Sequence, residues 1–298
     1  MLVIKVPESV VIFLKGMLMG MADIVPGVSG GTMALITGIY ERFVEALSSI
    51  NFHFITRRMK GDKEGAREAW RSIDWGLLIP LFVGILSAMI IFARVIEWLL
   101  ESHAGPTYAF FFGLILASAG FVYKYVEHLD AKHLLAGSIA FVLVVAIVGI
   151  DEITDNHSYP MLFIAGAIAV CAMILPGISG SLTLLILGQY HYFLEALNNG
   201  EWKVLLTFGA GAVVGILSFS RLLNWLIKNH RSVTMAFLFG CMLGALRLPS
   251  EIIMAETDPS SIPSVVIVIV AAIVGFGAVY VLENRSERIK ARLHIETD

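Results

Sequence analysis

Two long apolar stretches, 10–47 and 160–197, are each interrupted near the middle by a Pro-Gly-x-Ser-Gly sequence, and they match each other at a fixed offset of 150 residues. Pro cannot continue a helical ladder and Gly accepts dihedrals that other residues avoid, so each interruption ends one short helix and begins another. The breaks are Pro26, Gly27, Val28, Ser29, Gly30 and Pro176, Gly177, Ile178, Ser179, Gly180. Around them, 22–47 and 172–197 are identical at 14 of 26 positions without a gap. A second register, offset by 127, lays Arg94, Trp98, His103 and Thr107 on Arg221, Trp225, His230 and Thr234. The chain is a tandem duplication, and whatever it folds into has to be built twice.

Composition decides the solvent of that fold. Of 298 residues 57% are hydrophobic and 15% charged, against roughly a quarter charged in soluble domains. Six apolar segments, at 75–100, 105–123, 134–150, 204–227, 232–248 and 262–283, reach the length of about 17 to 25 residues that a bilayer crossing needs. No alternating strand pattern accompanies them, so an all-α polytopic membrane protein is expected. No long basic, aromatic-rich patch is present to follow a nucleic acid. The eight histidines are dispersed, without the spacing of a metal site, and no cofactor motif is evident. Cys171 and Cys241 lie in apolar runs and read as packing residues. The amino terminus has no small-residue cleavage site and reads as mature protein.

If each broken stretch returns to the side it started from, a half crosses the membrane three times and the second half is inserted upside down. Lys and Arg then divide 14 inside, largely in the 51–73 loop and the tail, against Lys203 and Arg247 outside. If the stretch crosses instead, the division is ten against six. The positive-inside rule favours the returning hairpin, with both termini cytoplasmic. The expected architecture is an inverted repeat: 1–150 holds hairpin 10–47 and three spans, 157–283 holds hairpin 160–197 and three spans, and 284–298 is a cytoplasmic tail. Paired breaks in inverted membrane halves point to a transporter with its site near the midplane.

Helix N-termini carry unsatisfied amides and partial positive charge, which suits an anion. Ser29, Gly30, Gly31 and Thr32 in the first break, with Ser179, Gly180 and Ser181 in the second, are therefore candidate anion ligands. The alternative is that Gly27, Gly177 and their neighbours only permit a tight turn. Ionisable residues at membrane depth are costly and mark further candidates. Arg94 and Arg221, at equivalent positions, read either as arginines that pair with a phosphate in alternate states or as snorkelling side chains. Arg42 is a third candidate cation. Asp23 and Glu41, whose counterparts are Met173 and His191, are candidate coupling carboxylates, although Asp23 paired with Arg42 or bonded to the hairpin backbone is an equal expectation. Glu45 and Glu195 read as structural caps or salt bridges, and the Phe-rich 109–113 stretch as helix packing or a lipid-tail groove.

The run Gly20-Met21-Ala22-Asp23-Ile24-Val25-Pro26-Gly27-Val28-Ser29-Gly30-Gly31-Thr32 with its echo Leu175-Pro176-Gly177-Ile178-Ser179-Gly180 resembles the bacterial polyprenyl-phosphate transporter family once labelled domain of unknown function 368. The resemblance implies translocation of undecaprenyl phosphate across the bacterial cytoplasmic membrane, a transport step and not an enzymatic one; no cofactor is expected, and the isolated carboxylates make a proton or sodium ion the candidate coupling partner. Two rivals remain at this point. One is a small-anion or carboxylate transporter. The other is an intramembrane polyprenyl-diphosphate phosphatase, whose Pro-Gly-x-Ser-Arg-Ser motif would need Arg where this chain has Gly30 and Gly180.

Overall fold

A computed structural model of the chain describes residues 7–295 apart from Pro26, 51–57, Lys60, 128–129 and 151–155, and side chains as far as Leu282. All regular structure among the described residues is helical. The first half comprises α1 (Glu8–Ile24), α2 (Gly30–Ile36), α3 (Tyr40–Ser49), α4 (Lys63–Arg71), α5 (Trp75–Ser102), α6 (Ala104–Tyr123) and α7 (Ala131–Val148). The second comprises α8 (Tyr159–Ile174), α9 (Gly180–Ile186), α10 (Tyr190–Asn199), α11 (Trp202–Asn229), α12 (Arg231–Ala245), α13 (Arg247–Glu256) and α14 (Ile262–Ile295). Among the described residues, six helical segments are long and apolar enough to cross a membrane: α5, α6, α7, α11, α12 with α13, and α14 as far as Leu282.

The backbone repeats as the sequence does. Val25 and Leu175 leave the helix in extended conformation, Gly27 and Gly177 follow at φ of 81° and 89°, and Ser29 and Ser179 are extended again before α2 and α9 begin. A side chain at Gly27 or Gly177 would be strained in that left-handed region. Pro176 lies in the second turn, while Pro26 is outside the described residues. α2 turns back along α1, so that Lys15 Nζ donates to the Thr37 carbonyl at 2.6 Å and caps the end of α2.

Close glycine contacts hold the helix pairs together. Any Cβ on Gly16 or Gly84 would enter the opposing α5 or α1 backbone, at Leu81 or Phe13; Gly166 and Gly211 play the same parts between α8 and α11. Apolar lipid gives helices no hydrophobic reason to associate, so backbone-to-backbone approach at small residues is what binds them. Gly113 lies on Ala272 of α14 and its counterpart Gly240 on Gly137 of α7. The second span of each half therefore packs on the third span of the other, and the halves are interleaved.

The structure departs from the sequence expectations at one span. The span expected to end at 248 is followed directly by α13, because Arg247 donates to the Val145 carbonyl at the end of α7 (2.6 Å) and pairs with Glu251 one turn on (2.6 Å). Past the apolar span, which ends at Leu282, α14 runs on as helix to Ile295 through most of the expected tail 284–298.

Gly84→Ala is expected to lower the stability of the detergent-solubilised protein by about 1–3 kcal/mol, as overpacking does. Gly120→Ala, with nothing within 4 Å of its Cβ position, is expected to be neutral or stabilising; thermal unfolding of the two variants is the check. At the foot of α5, the hydrogen bond from Arg42 (2.8 Å) holds the Asp74 carboxyl below its ordinary range. That contribution is present above the ordinary carboxylate value and is lost as pH falls through the depressed one. Asp74→Asn should therefore flatten the acid limb of the unfolding midpoint against pH.

Candidate functional site

The two breaks meet and hydrogen-bond to each other. Ser29 Oγ accepts from the Gly31 amide at 3.1 Å, capping α2, and donates to the Leu175 carbonyl of the second break at 3.1 Å. In return the Gly177 amide donates to Thr32 Oγ1 at 3.1 Å. Ser29 and Thr32 are fully buried. The approach is close enough that a Cβ at Gly31 would stand 2.8 Å from the Ile174 carbonyl oxygen, which excludes at that position the Ser181 of the second copy.

The first tip is internally satisfied. Asp23 sits one turn before the break, and its Oδ1 accepts from the Gly30 amide at 2.7 Å. A carboxylate of the chain thus occupies the place where an external anion was expected. Of the two alternatives for Asp23, the structure selects the bond to the hairpin backbone and not a pair with Arg42. Gly30, Gly31, Ser29 and Thr32 all have partners in the two tips, so they do not converge on an open space.

The second tip differs at the positions where the duplication has diverged. Met173 replaces Asp23 and lies over Gly180. Ser179, unlike Ser29, does not cap its helix, because its hydroxyl pairs with Ser181 Oγ at 2.8 Å. The amides of Gly180 and Ser181 have no hydrogen-bond partner among the described residues. Unspent donors are thus concentrated in the second break, at Ser179, Gly180 and Ser181.

The arginines do not reach the tips. Arg42 pairs with Glu8 (2.5 Å) and Asp74 (2.8 Å) where α3 meets α5. Arg221 donates to the Ile50 carbonyl (3.0 Å), and Arg94 is exposed with no partner among the described residues. Glu41 is engaged by Arg231 at 2.8 Å and Glu45 by Lys228 at 2.5 Å, both at the periphery. As placed, Arg42 and Arg221 hold the first hairpin arm from outside and Arg94 is exposed, so none of the three has a partner in the breaks.

Beside the first tip runs an apolar groove of about 760 Å³, bounded by Leu18, Ala22, Met33, Phe110 and Phe111, with Thr37 and His103 among its few polar groups. Its α14 wall extends from Ile267 to Leu282, about 22 Å at the helical rise. The Phe-rich stretch supplies part of this lining, and Ala22 and Met33 adjoin Asp23 and Thr32. Sequence reasoning missed Lys15, a lone cation in an apolar run, and Gln189, fully buried between His157 and the Asn156 carbonyl. No group of three or more His, Cys, Asp or Glu able to hold a metal ion occurs among the described residues.

Comparison with known proteins gives this geometry a context. A protein of Vibrio cholerae named polyprenyl-phosphate transporter is 42% identical over 234 residues, covering 78% of this chain and 75% of its own. A protein of Staphylococcus aureus with the same name is 33% identical over 265 residues, covering 81% of this chain and 88% of its own. No solved structure matches the chain. The match to the family described as VCA0040-like, undecaprenyl phosphate translocase-like, runs over residues 19–280, and the chain belongs to that family.

Proposed function

We propose that the chain translocates a polyprenyl phosphate, of the undecaprenyl class, across the bacterial cytoplasmic membrane by alternating access between two inverted halves, 1–150 and 157–283, with both termini cytoplasmic. The observation that carries this reading is the apolar groove beside the interlocked tips: a small anion has no use for it, whereas a polyprenyl tail does. The names of the two relatives and of the family support a transporter and not an enzyme.

In this reading the two hairpins enter the membrane and return, and the breaks lie near the midplane, where free donors serve a headgroup that hydrocarbon rejects. The phosphate is taken at the second tip, by the Ser179 and Ser181 hydroxyls and the Gly180 and Ser181 amides, while the tail lies along Phe110, Phe111 and Leu18. Asp23 already fills the first tip, so Ser29, Gly30, Gly31 and Thr32 hold the second tip in place and do not bind substrate directly. Arg94 and Arg221 serve as latches at the ends of the hairpin arms, a role distinct from both sequence readings, phosphate pairing and snorkelling. Glu41 is tied to Arg231, which leaves Asp23 as the buried carboxylate able to exchange a coupling proton or sodium ion.

Reconstituted protein with labelled polyprenyl phosphate is expected to move the lipid between leaflets without releasing phosphate; phosphate release would establish the phosphatase instead. Ser179→Ala with Ser181→Ala should slow movement by about tenfold or more, the cost of hydrogen bonds to a charged group. Leu18→Trp, which fills the groove, should slow a polyprenyl substrate while sparing a short-chain phosphate; equal loss for both would remove the groove from the mechanism. Asp23→Asn retains an acceptor for Gly30 but cannot titrate, and an unchanged pH dependence of transport would exclude Asp23 from coupling.

A further inference from the structure

The two hairpin arms are not in equivalent places. α3 packs along α11, whereas α10, its copy, makes no comparable contact with α5, the copy of α11. The α3–α11 seam is closed by Arg221 to the Ile50 carbonyl (3.0 Å), Asn224 to Ser48 (2.8 Å), Lys228 to Glu45 (2.5 Å) and Arg231 to Glu41 (2.8 Å). It is one closed gate in a duplicated molecule. On the alternating-access reading above, on which this inference rests, the opposite state closes the copy of that seam.

The partners in that second seam follow from the two sequence offsets of 150 and 127. Arg94 takes the place of Arg221, facing Gly200 in the place of Ile50. Glu97 faces Asn198 where Asn224 faces Ser48, and both substitutions keep a donor opposite an acceptor. Ala104 and His191 replace Arg231 and Glu41 with no ion pair. The remaining contact reverses sign of fit: Glu101 stands where Lys228 stands, opposite Glu195, the copy of Glu45.

We propose that closing this second gate takes up one proton, shared between Glu101 and Glu195, so that gate closure and proton binding are one event. Two carboxylates brought into contact cannot both stay ionised, so one of them holds a proton when they meet. In the open gate both are exposed, and their helices do not pack on each other. The neighbouring charges do not relieve the repulsion. Arg94, Glu97 and His103 neighbour Glu101 on its own helix, Glu256 of α13 lies against Gly105, and His191, Glu201 and Lys203 are the charged or titratable neighbours of Glu195 along the chain. Five carboxylates thus stand against Arg94 and Lys203. Because the closed gate binds more protons than the open one, falling pH favours closure.

Disulfide trapping in liposomes reads the gate directly, in a Cys171→Ala, Cys241→Ala background. Ser48→Cys with Asn224→Cys reports the gate that is closed here, and Glu97→Cys with Asn198→Cys reports its copy. With Glu101 and Glu195 intact, trapping of the second pair should be about fivefold or more greater at pH 6 than at pH 8. That rise opposes the thiol chemistry, since thiolate attack slows as pH falls. Adding Glu195→Gln or Glu101→Gln should make trapping high at pH 8 and leave only the thiol chemistry's own fall at pH 6, and Glu101→Lys, which restores the ion pair, should do the same. Trapping that does not rise at pH 6 with both glutamates present, or that follows sodium at constant pH, overturns the shared proton while leaving alternating access standing. No trapping of the second pair in any variant at either pH overturns alternating access itself.

Discussion

A helix that stops inside a packed apolar bundle leaves amides and carbonyls that need partners. Here the two breaks supply several of these partners for each other. Ser29 spends its hydroxyl on its own helix and on the Leu175 carbonyl, and Thr32 receives the Gly177 amide. The second tip takes partners for its Leu175 carbonyl and Gly177 amide from the first, so the two breaks are joined where they meet. The glycine-lined pairs α1 with α5 and α8 with α11 then fix where each tip stands.

Within that frame the duplicated parts have diverged in one consistent direction. The first hairpin carries its own cap on α2, its own anion at Gly30 and a lysine on its terminal carbonyl. The second has Ala165, Met173 and an uncapped α9 at the corresponding places. A helix terminus whose donors are already paired is a structural part; one whose donors are unpaired is available to a ligand. The same division recurs at the periphery, where charges that close one seam have copies that oppose closure of the other.

The spans were legible because length and apolarity are local properties, and the repeat was legible because the offsets are constant. The left-handed Gly27 and Gly177 were readable for the same reason. Partners across the duplication were not, since no periodicity indicates that Ser29 will find a carbonyl 146 positions away. α13 was missed because its anchor, the Arg247 bond to Val145, comes from another helix. The Asp23 bond to Gly30 lies seven residues apart and was foreseeable as one of two outcomes. Lys15 was readable in retrospect from physics alone: once α2 is folded back on α1, its last carbonyls need a donor, and α1 offers a single cation near that end.

On the proposed alternating-access reading the α3–α11 seam has to open. Its ion pairs, Lys228 with Glu45 and Arg231 with Glu41, are about half exposed on both sides, and such pairs contribute about 0.2–1 kcal/mol each. The polar part of the seam is therefore weak, and its buried apolar part, Phe43, Val44 and Leu47 with Leu223 and Ile227, is the larger share of what opening exposes. The contacts inside each half are of another kind: at Gly16, Gly84, Gly166 and Gly211 backbone meets backbone, and separating them would leave voids that neither lipid nor water fills well. On the alternating-access reading proposed above, motion falls at the arm seams, and the helix pairs that carry the tips move as rigid units.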